Sequence, residues 1–207
     1  MLTERARLRA PDRRACILDA ARHEFARKGF KGAGMAEIAA RASCSEPMLY
    51  KHFESKHALF AAVLDDSSRR MGERVEAQVE GAQDPMAAWL ESVALKAATD
   101  PDIVEHARLR MLAMSLVNDP LVRDAIARSA EAMRARARRI LLTAVERGQL
   151  RSDVDIEGAS WLWLGFTLAG GFAHALDPEQ AASICPRMAG TFVTLLRPTT
   201  PEAQETA

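Results

Sequence analysis

The chain has 207 residues, 48% hydrophobic and 27% charged, the profile of a soluble globular protein with a sizeable core in one or two domains. Its formal net charge is zero, so no global basic excess marks it for nucleic acid, and three widely spaced cysteines (Cys16, Cys44 and Cys185) argue against a disulfide framework or a zinc site. Charge is uneven, however: residues 1–60 hold 12 Lys and Arg against 7 Asp and Glu, and the remainder holds 16 against 21. A basic start on an acidic body is the footprint of a regulator that sets one end on a phosphate backbone.

Residues 1–12 read as a flexible basic arm, with Arg5, Arg7 and Arg9 either offered to a minor groove or simply solvated. This start is charged and lacks an apolar stretch, so it is not a secretory signal, and a cytoplasmic protein is expected. Asp12 can cap a helix that runs to about Lys28 and ends at Gly29. Leu18, Ala21 and Phe25 share its inner face, with Ile17 beside them, and Arg14, Arg22 and Lys28 are left toward solvent or DNA. Cys16 and Cys44 fall inside apolar patterns and read as small core residues.

Residues 29–60, GFKGAGMAEIAARASCSEPMLYKHFESKHALF, carry most of the information. Two short helices are predicted over 35–42 and 46–52, separated by a tight turn. Ile38, Ala39 and Ala42 are followed by Leu49 and Phe53 at i,i+4 spacing. Ser45 is placed to cap the second helix, and Glu46 and Pro47 occupy its first turn, where proline lacks only an amide that has no helical partner. With Leu49 and Phe53 inward, Pro47, Met48, Tyr50 and Lys51 face outward. That is the layout of a helix-turn-helix reader, whose second helix enters the major groove.

Gly29-Phe30, Ala33-Gly34, Ile38-Ala39, Ala42-Ser43-Cys44-Ser45, Leu49-Tyr50, His52-Phe53, Lys56 and Leu59 together resemble the DNA-binding half of the tetracycline-repressor (TetR) family of transcriptional regulators. The likeness covers about the first 60 residues; later helices match in length and general character. Two positions depart from the family pattern. Ala33-Gly34 stands where a hydroxyl residue usually caps the first motif helix, and Ser43 replaces the usual turn glycine, which forces a less comfortable backbone if the turn needs φ > 0. The resemblance implies a DNA-facing set of Gly34, Ser45, Pro47, Met48, Tyr50, Lys51, His52 and Lys56. Within it the lysines meet phosphates, and Tyr50 offers its ring to a thymine methyl and its hydroxyl to a phosphate. Glu46 would repel phosphate, and its benign role is at the start of its helix.

Ser55 can cap a long helix over about 56–81, expected to link a head at 13–60 to a second domain at 61–197, with a disordered tail at 198–207. Further helices are predicted at 85–98, 102–117, 120–147, 155–176 and 178–196, broken at Asp100-Pro101, Asp119-Pro120, Gly148 and Asp177-Pro178. No alternating pattern suggests a strand, so the fold class is all-α: a three-helix helix-turn-helix head plus a helical ligand-binding and dimerisation domain. Pro186 should kink the last helix or split it after Ile184. The apolar run Ala159 to Leu176 is interrupted by Ser160, Thr167 and His174 and is slightly shorter than the roughly 20 residues a bilayer needs, so no membrane span is expected.

The helix at 155–176 is apolar on more than one face and needs cover on both sides. One side packs on its own domain and the other needs a second subunit. The expected homodimer interface is Trp161, Gly165, Ala169 and Phe172 against Ile184, Met188, Phe192 and Leu195, on the last two long helices that the resemblance also implies. Trp89, His106, Met111, Met114, Trp163 and Phe166 are candidate lining for a small hydrophobic or amphipathic effector, although Met and Trp at helical spacing form plain core more often than a site. The run Arg134, Arg136, Arg138 and Arg139 reads as a solvated face with local pairing to Glu131.

No nucleophile elbow, Gly-rich phosphate loop, His-x-x-x-His or Cys-x-x-Cys spacing is present, so neither an enzyme nor a metal or cofactor protein is expected. The expectation is a homodimeric repressor that binds an inverted repeat in double-stranded DNA and is released by a small molecule. Two alternatives stand beside it: a helical ligand-binding or enzymatic domain whose head contacts protein, and a DNA-architectural protein indifferent to sequence.

Overall fold

The computed structural model describes residues 10–91 and 100–198. The expected tail from 199, the arm before residue 10 with Arg5, Arg7 and Arg9, and most of the second half of the helix expected at 85–98 lie outside the described residues. Within them every regular element is helical: α1 (Ala10–Gly32), α2 (Met35–Arg41), α3 (Glu46–His52), α4 (Lys56–Val79), α5 (Pro85–Leu90), α6 (Pro101–Met114), α7 (Pro120–Glu146), α8 (Ile156–Leu176) and α9 (Pro178–Leu196). None of these helices is long and apolar enough to cross a membrane.

One local device starts four of them. Asp84, Asp100, Asp119 and Asp177 each precede a proline, and each carboxylate accepts from amides of the following turn. Asp84 takes Ala87 N–H at 2.9 Å, Asp100 takes Asp102 N–H at 3.0 Å, Asp119 takes Val122 N–H at 3.1 Å and Asp177 takes Glu179 N–H at 2.9 Å. Proline at the first helical position gives up only an amide that has no helical partner, and each cap is worth roughly 1 kcal/mol. Asp100 also receives the Arg74 guanidinium, which ties the start of α6 to α4.

Contacts divide the described chain into two compact units, residues 10–70 with 108–129, and 71–91 with 100–107 and 130–198. In the first, Ile17, Phe25, Ile38, Leu49, Leu59 and Phe60 form a buried core that Leu109, Ala113, Val122 and Ala125 complete. The Phe25 and Phe60 rings meet edge to face at 5.0 Å. The sequence expectation closed the head at residue 60; the first unit also holds 61–70 and 108–129, because the apolar faces of α6 and α7 cover the head's core there. The second core gathers Met86, Trp89, Leu141, Trp163 and Phe192.

Four expectations are corrected. α1 begins before Asp12, which lies inside its first turn, where negative charge is also favoured. Cys16 is exposed: with Ile17, Leu18, Ala21 and Phe25 facing in, the 100° step of the helix puts it among Asp12, Asp19 and Arg27 on the outer face. Of the two outcomes expected at Pro186 the split does not occur, since α9 runs on through it; the carbonyl left without its helical donor belongs to Ala182, which is exposed. The four arginines of α7 are not simply a solvated face. Arg136 and Arg139 bind Glu76 on α4 at 3.3 and 2.7 Å, and Arg134 and Arg138 both bind Glu157 on α8 as well as Glu131.

Candidate nucleic-acid interface

α1 sets the motif in place. At Gly29 the backbone turns left-handed (φ 71°), which ends the straight part of the helix after Lys28. Glu24, nearly buried, meets Lys28 Nζ at 3.1 Å, Arg27 at 3.3 Å and Arg41 at 3.5 Å. Lys28 also donates to Glu37 at 2.8 Å, and Glu37 accepts from the Gly34 N–H at 3.3 Å. Gly34 has no side-chain oxygen to cap α2, so only the glutamate half of a capping box forms. An ion-pair chain thus joins α1 to both ends of α2. The Lys28 ammonium holds the Glu24 and Glu37 carboxyls below the usual range, with the Gly34 amide adding to the effect on Glu37, and the two carboxylates raise Lys28 in return.

The turn is formed as the Ser43 substitution requires. Ser43 has φ 52°, its N–H reaches Ala40 O at 3.1 Å and the Cys44 N–H reaches Ala39 O at 2.9 Å. That pair of bonds is the glycine-type ending of a helix, carried here by serine. Arg13 Nη1 donates to the Ser43 carbonyl at 3.2 Å. Ser45 then caps α3 through Met48 N–H at 3.4 Å, and Ser55 caps α4 through Ala58 N–H at 3.0 Å.

Leu49 is fully buried and Phe53 nearly so, with the Arg14 guanidinium 5.0 Å from the Phe53 ring centre. Anchoring on these two residues leaves Pro47, Met48, Tyr50 and Lys51 exposed, as their spacing requires. Ser45 is exposed too, whereas Gly34, His52 and Lys56 are half-buried. Lys56 Nζ lies 4.9 Å from the Phe30 ring centre and donates to the Lys31 carbonyl at 3.5 Å; burial lowers its pKa. An ammonium carries three donors, so this arrangement leaves others for a phosphate. Nothing local in the sequence marks Arg13 or Arg41, whose partners, the Ser43 carbonyl and Glu24, become visible only when α1 and α2 are set side by side.

In the second unit, Trp89, Trp163 and Phe166 come together, but as packed rings. Trp89 and Trp163 lie 3.8 Å apart, Trp163 and Phe166 5.0 Å, and Trp163 and Phe192 5.6 Å. His106 is buried in the same unit, whereas Met111 and the exposed Met114 belong to the first. A cleft of the second unit is lined by Val75, Glu76, Val79, Pro85, Arg136, Arg139, Ile140 and Thr143 among others, none of them anticipated. The pair α8 and α9 carries a groove edged by Trp161, Leu162, Gly165, Ala169, Ile184, Met188 and Leu195. Trp161, Phe172 and Leu195 are exposed at 54, 57 and 66%, while Phe192, at 7%, is already covered by its own chain. No group of three or more His, Cys, Asp or Glu suited to a metal ion occurs among the described residues.

A capped two-helix reader on a basic three-helix head defines a helix-turn-helix regulator. The family model for bacterial regulatory proteins of the tetR family matches residues 17–63. The repressor AcnR of Corynebacterium glutamicum is 31% identical over 146 residues, 68% of this chain and 70% of AcnR. The chain therefore belongs to the TetR family of transcriptional regulators. The activator FasR of Mycolicibacterium smegmatis is 50% identical over 58 residues, 28% of this chain, and the match spans only 26% of FasR. In fold, the chain is similar to the regulator FadR of Bacillus subtilis, solved in complex with stearoyl-CoA: TM-score 0.73, 14% identity, 87% of this chain and 97% of that one.

Proposed function

We propose that the chain is an operator-binding repressor that works as a homodimer on an inverted repeat and is released by a small hydrophobic or amphipathic effector. The observation that carries this reading is the exposure of Pro47, Met48, Tyr50 and Lys51 around a wholly buried Leu49, on a helix capped at its start. A side-chain row presented in that way fits the major groove, with Lys51, Lys56 and His52 beside it for phosphates. AcnR, the relative matched over the greater length, is named a repressor and supports that sign of regulation. FasR, named an activator, supports the opposite sign on a shorter match.

The apolar groove and exposed rings of α8 and α9 support self-association, since a two-fold dimer would bury Trp161, Phe172 and Leu195. The cleft of Val75, Val79 and Ile140, edged by Arg136, Arg139 and Glu76, supports an amphipathic effector. Stearoyl-CoA bound to FadR, an amphipathic ligand on a similar fold, is consistent with that class. Such a molecule acts by its preference between the DNA-competent form and another. Selection of binding sites from random DNA tests the proposal: an enriched inverted repeat is expected, and sequence-indifferent recovery or none contradicts it.

A further inference from the structure

Two of the chain's three cysteines, far apart in sequence, come together in the head. Three observations fix which flank of α1 faces α2 and the turn after it. Arg13 donates to the Ser43 carbonyl at 3.2 Å, Ala20 is buried, and Glu24 meets Arg41 at 3.5 Å. Cys16 lies three residues past Arg13 and four before Ala20, so it stands between them, where that flank borders the outer face. The turn carries Cys44 directly after Ser43, the residue that Arg13 holds.

Cys44 is half-buried and packs against the head core, with its N–H on the Ala39 carbonyl at 2.9 Å. Burial above all raises its pKa; the Arg13 guanidinium opposes this, and the Cys16 sulfur adds to it. Such an influence fades with distance, which agrees with the helical geometry in making the two thiols neighbours. Exposed Cys16 is open to a small oxidant, whereas Cys44 is shielded and kept as the thiol, the condition of a second, resolving partner. Cys185 is buried in the other unit.

We propose that Cys16 and Cys44 form a peroxide-sensitive thiol pair, and that its closure to a disulfide takes the head out of its DNA-binding form. The Cys16 thiolate attacks one oxygen of hydrogen peroxide; the O–O bond breaks, a sulfenic acid forms, and hydroxide leaves and takes up a proton as water. The Cys44 sulfur then attacks the Cys16 sulfur. An S–S bond replaces the S–O bond, and a second water departs with the Cys44 proton. Both thiols are oxidised, by two electrons in all, and one peroxide is reduced to two waters. A disulfide holds its Cβ atoms about 3.5–4.5 Å apart, which draws the Cys44 side chain from the core toward exposed Cys16. The turn moves with it, and the next residue is Ser45, the cap of α3. The effect on DNA rests on the operator-binding reading; the bond itself does not.

The test treats the full chain with hydrogen peroxide, maps linked peptides by mass spectrometry, and measures affinity for the site recovered from random DNA. Free thiols are expected to fall from three to one, with Cys16 joined to Cys44 within one chain. Operator binding should be lost in step and return with dithiothreitol. Cys16→Ser, a change at an exposed position whose helical content circular dichroism checks, should bind as the parent does and keep binding after peroxide. In Cys44→Ala, Cys16 should stop at the sulfenic acid, which dimedone traps. No link under peroxide, or one that joins Cys185 or two chains, overturns the pair. A Cys16–Cys44 link that leaves operator affinity unchanged overturns the switch. If the reduced chain selects no sequence, the operator reading fails and the switch with it, while the peptide map still decides the pair.

Discussion

Arg13 donates from Nη1 to the carbonyl of Ser43 at 3.2 Å, and Ser43 is the one non-glycine residue among those described with a positive φ, 52°. The strained residue of the turn is therefore held from α1, the helix on which the motif rests. Because the contact is to a backbone carbonyl, it does not depend on the serine side chain.

Ser43→Gly should stabilise the protein. A left-handed conformation costs an L-residue roughly 1–2 kcal/mol, and the greater freedom of glycine in the unfolded chain returns part of that. A net gain of about 0.5–1 kcal/mol is expected in urea unfolding, with the Arg13 contact retained. A loss of stability would mean that the turn stores no strain at this position.

Glu24 should govern the acid side of stability. Lys28 above all, with Arg27, holds its carboxyl below the ordinary value, so the folded-state pKa lies under the unfolded one of about 4.3. Its contribution is complete above the unfolded pKa and is lost as pH falls through the folded one. Glu24→Gln should cost about 1–2 kcal/mol near neutral pH and flatten the decline of stability in acid. Unfolding curves collected from pH 7 downward check this; a variant that declines as steeply as the parent removes Glu24 as the cause.

Phe172 and Phe192 separate assembly from folding. Phe172 is 57% exposed and Phe192 7% exposed, so aspartate at the first should leave the protomer folded and at the second should disrupt the core. Phe172→Asp is expected to sediment as a helical monomer and Phe192→Asp to lose cooperative unfolding. A Phe172→Asp protein that still sediments as a dimer would take this part of α8 out of the interface.

Lys56→Ala should weaken DNA binding by a similar factor on all sequences and flatten the salt dependence by roughly one unit, the release of one phosphate contact. Loss of its contact with Phe30 adds a small stability cost. An unchanged salt slope would assign Lys56 to the fold alone.

Much of this arrangement was legible in the sequence because its causes are local. The Asp-Pro pairs, Ser45 and Ser55 sit next to the helices they start, and the spacing of Leu49 and Phe53 sets which side of α3 faces outward. The failures have longer-range causes. The partners of the α7 arginines lie far along the chain, at Glu76 and Glu157, so only i,i+3 pairing with Glu131 could be anticipated. Residues 108–129 fold with the head because tertiary packing places them there, and no boundary signal marks it. Trp89 and Trp163 were visible as large apolar groups, but that their rings pack on each other, 3.8 Å apart, depends on helices distant in sequence. Cys16 was misplaced by a single step of helical phase.

Whether two copies of α3 read one inverted repeat is decided by the affinity for the selected operator before and after about five base pairs are inserted between its half-sites. A two-fold dimer of the proposed kind would place its reading helices about one turn of DNA apart, roughly 34–36 Å. Half a turn of insertion carries one half-site to the opposite face of the duplex. Affinity is predicted to fall toward the non-specific level, and saturating effector on the intact site should have the same effect. Undiminished binding to the lengthened site, or a footprint confined to a single half-site and unaffected by the spacer, would mean that no two-fold pair of α3 helices reads the operator.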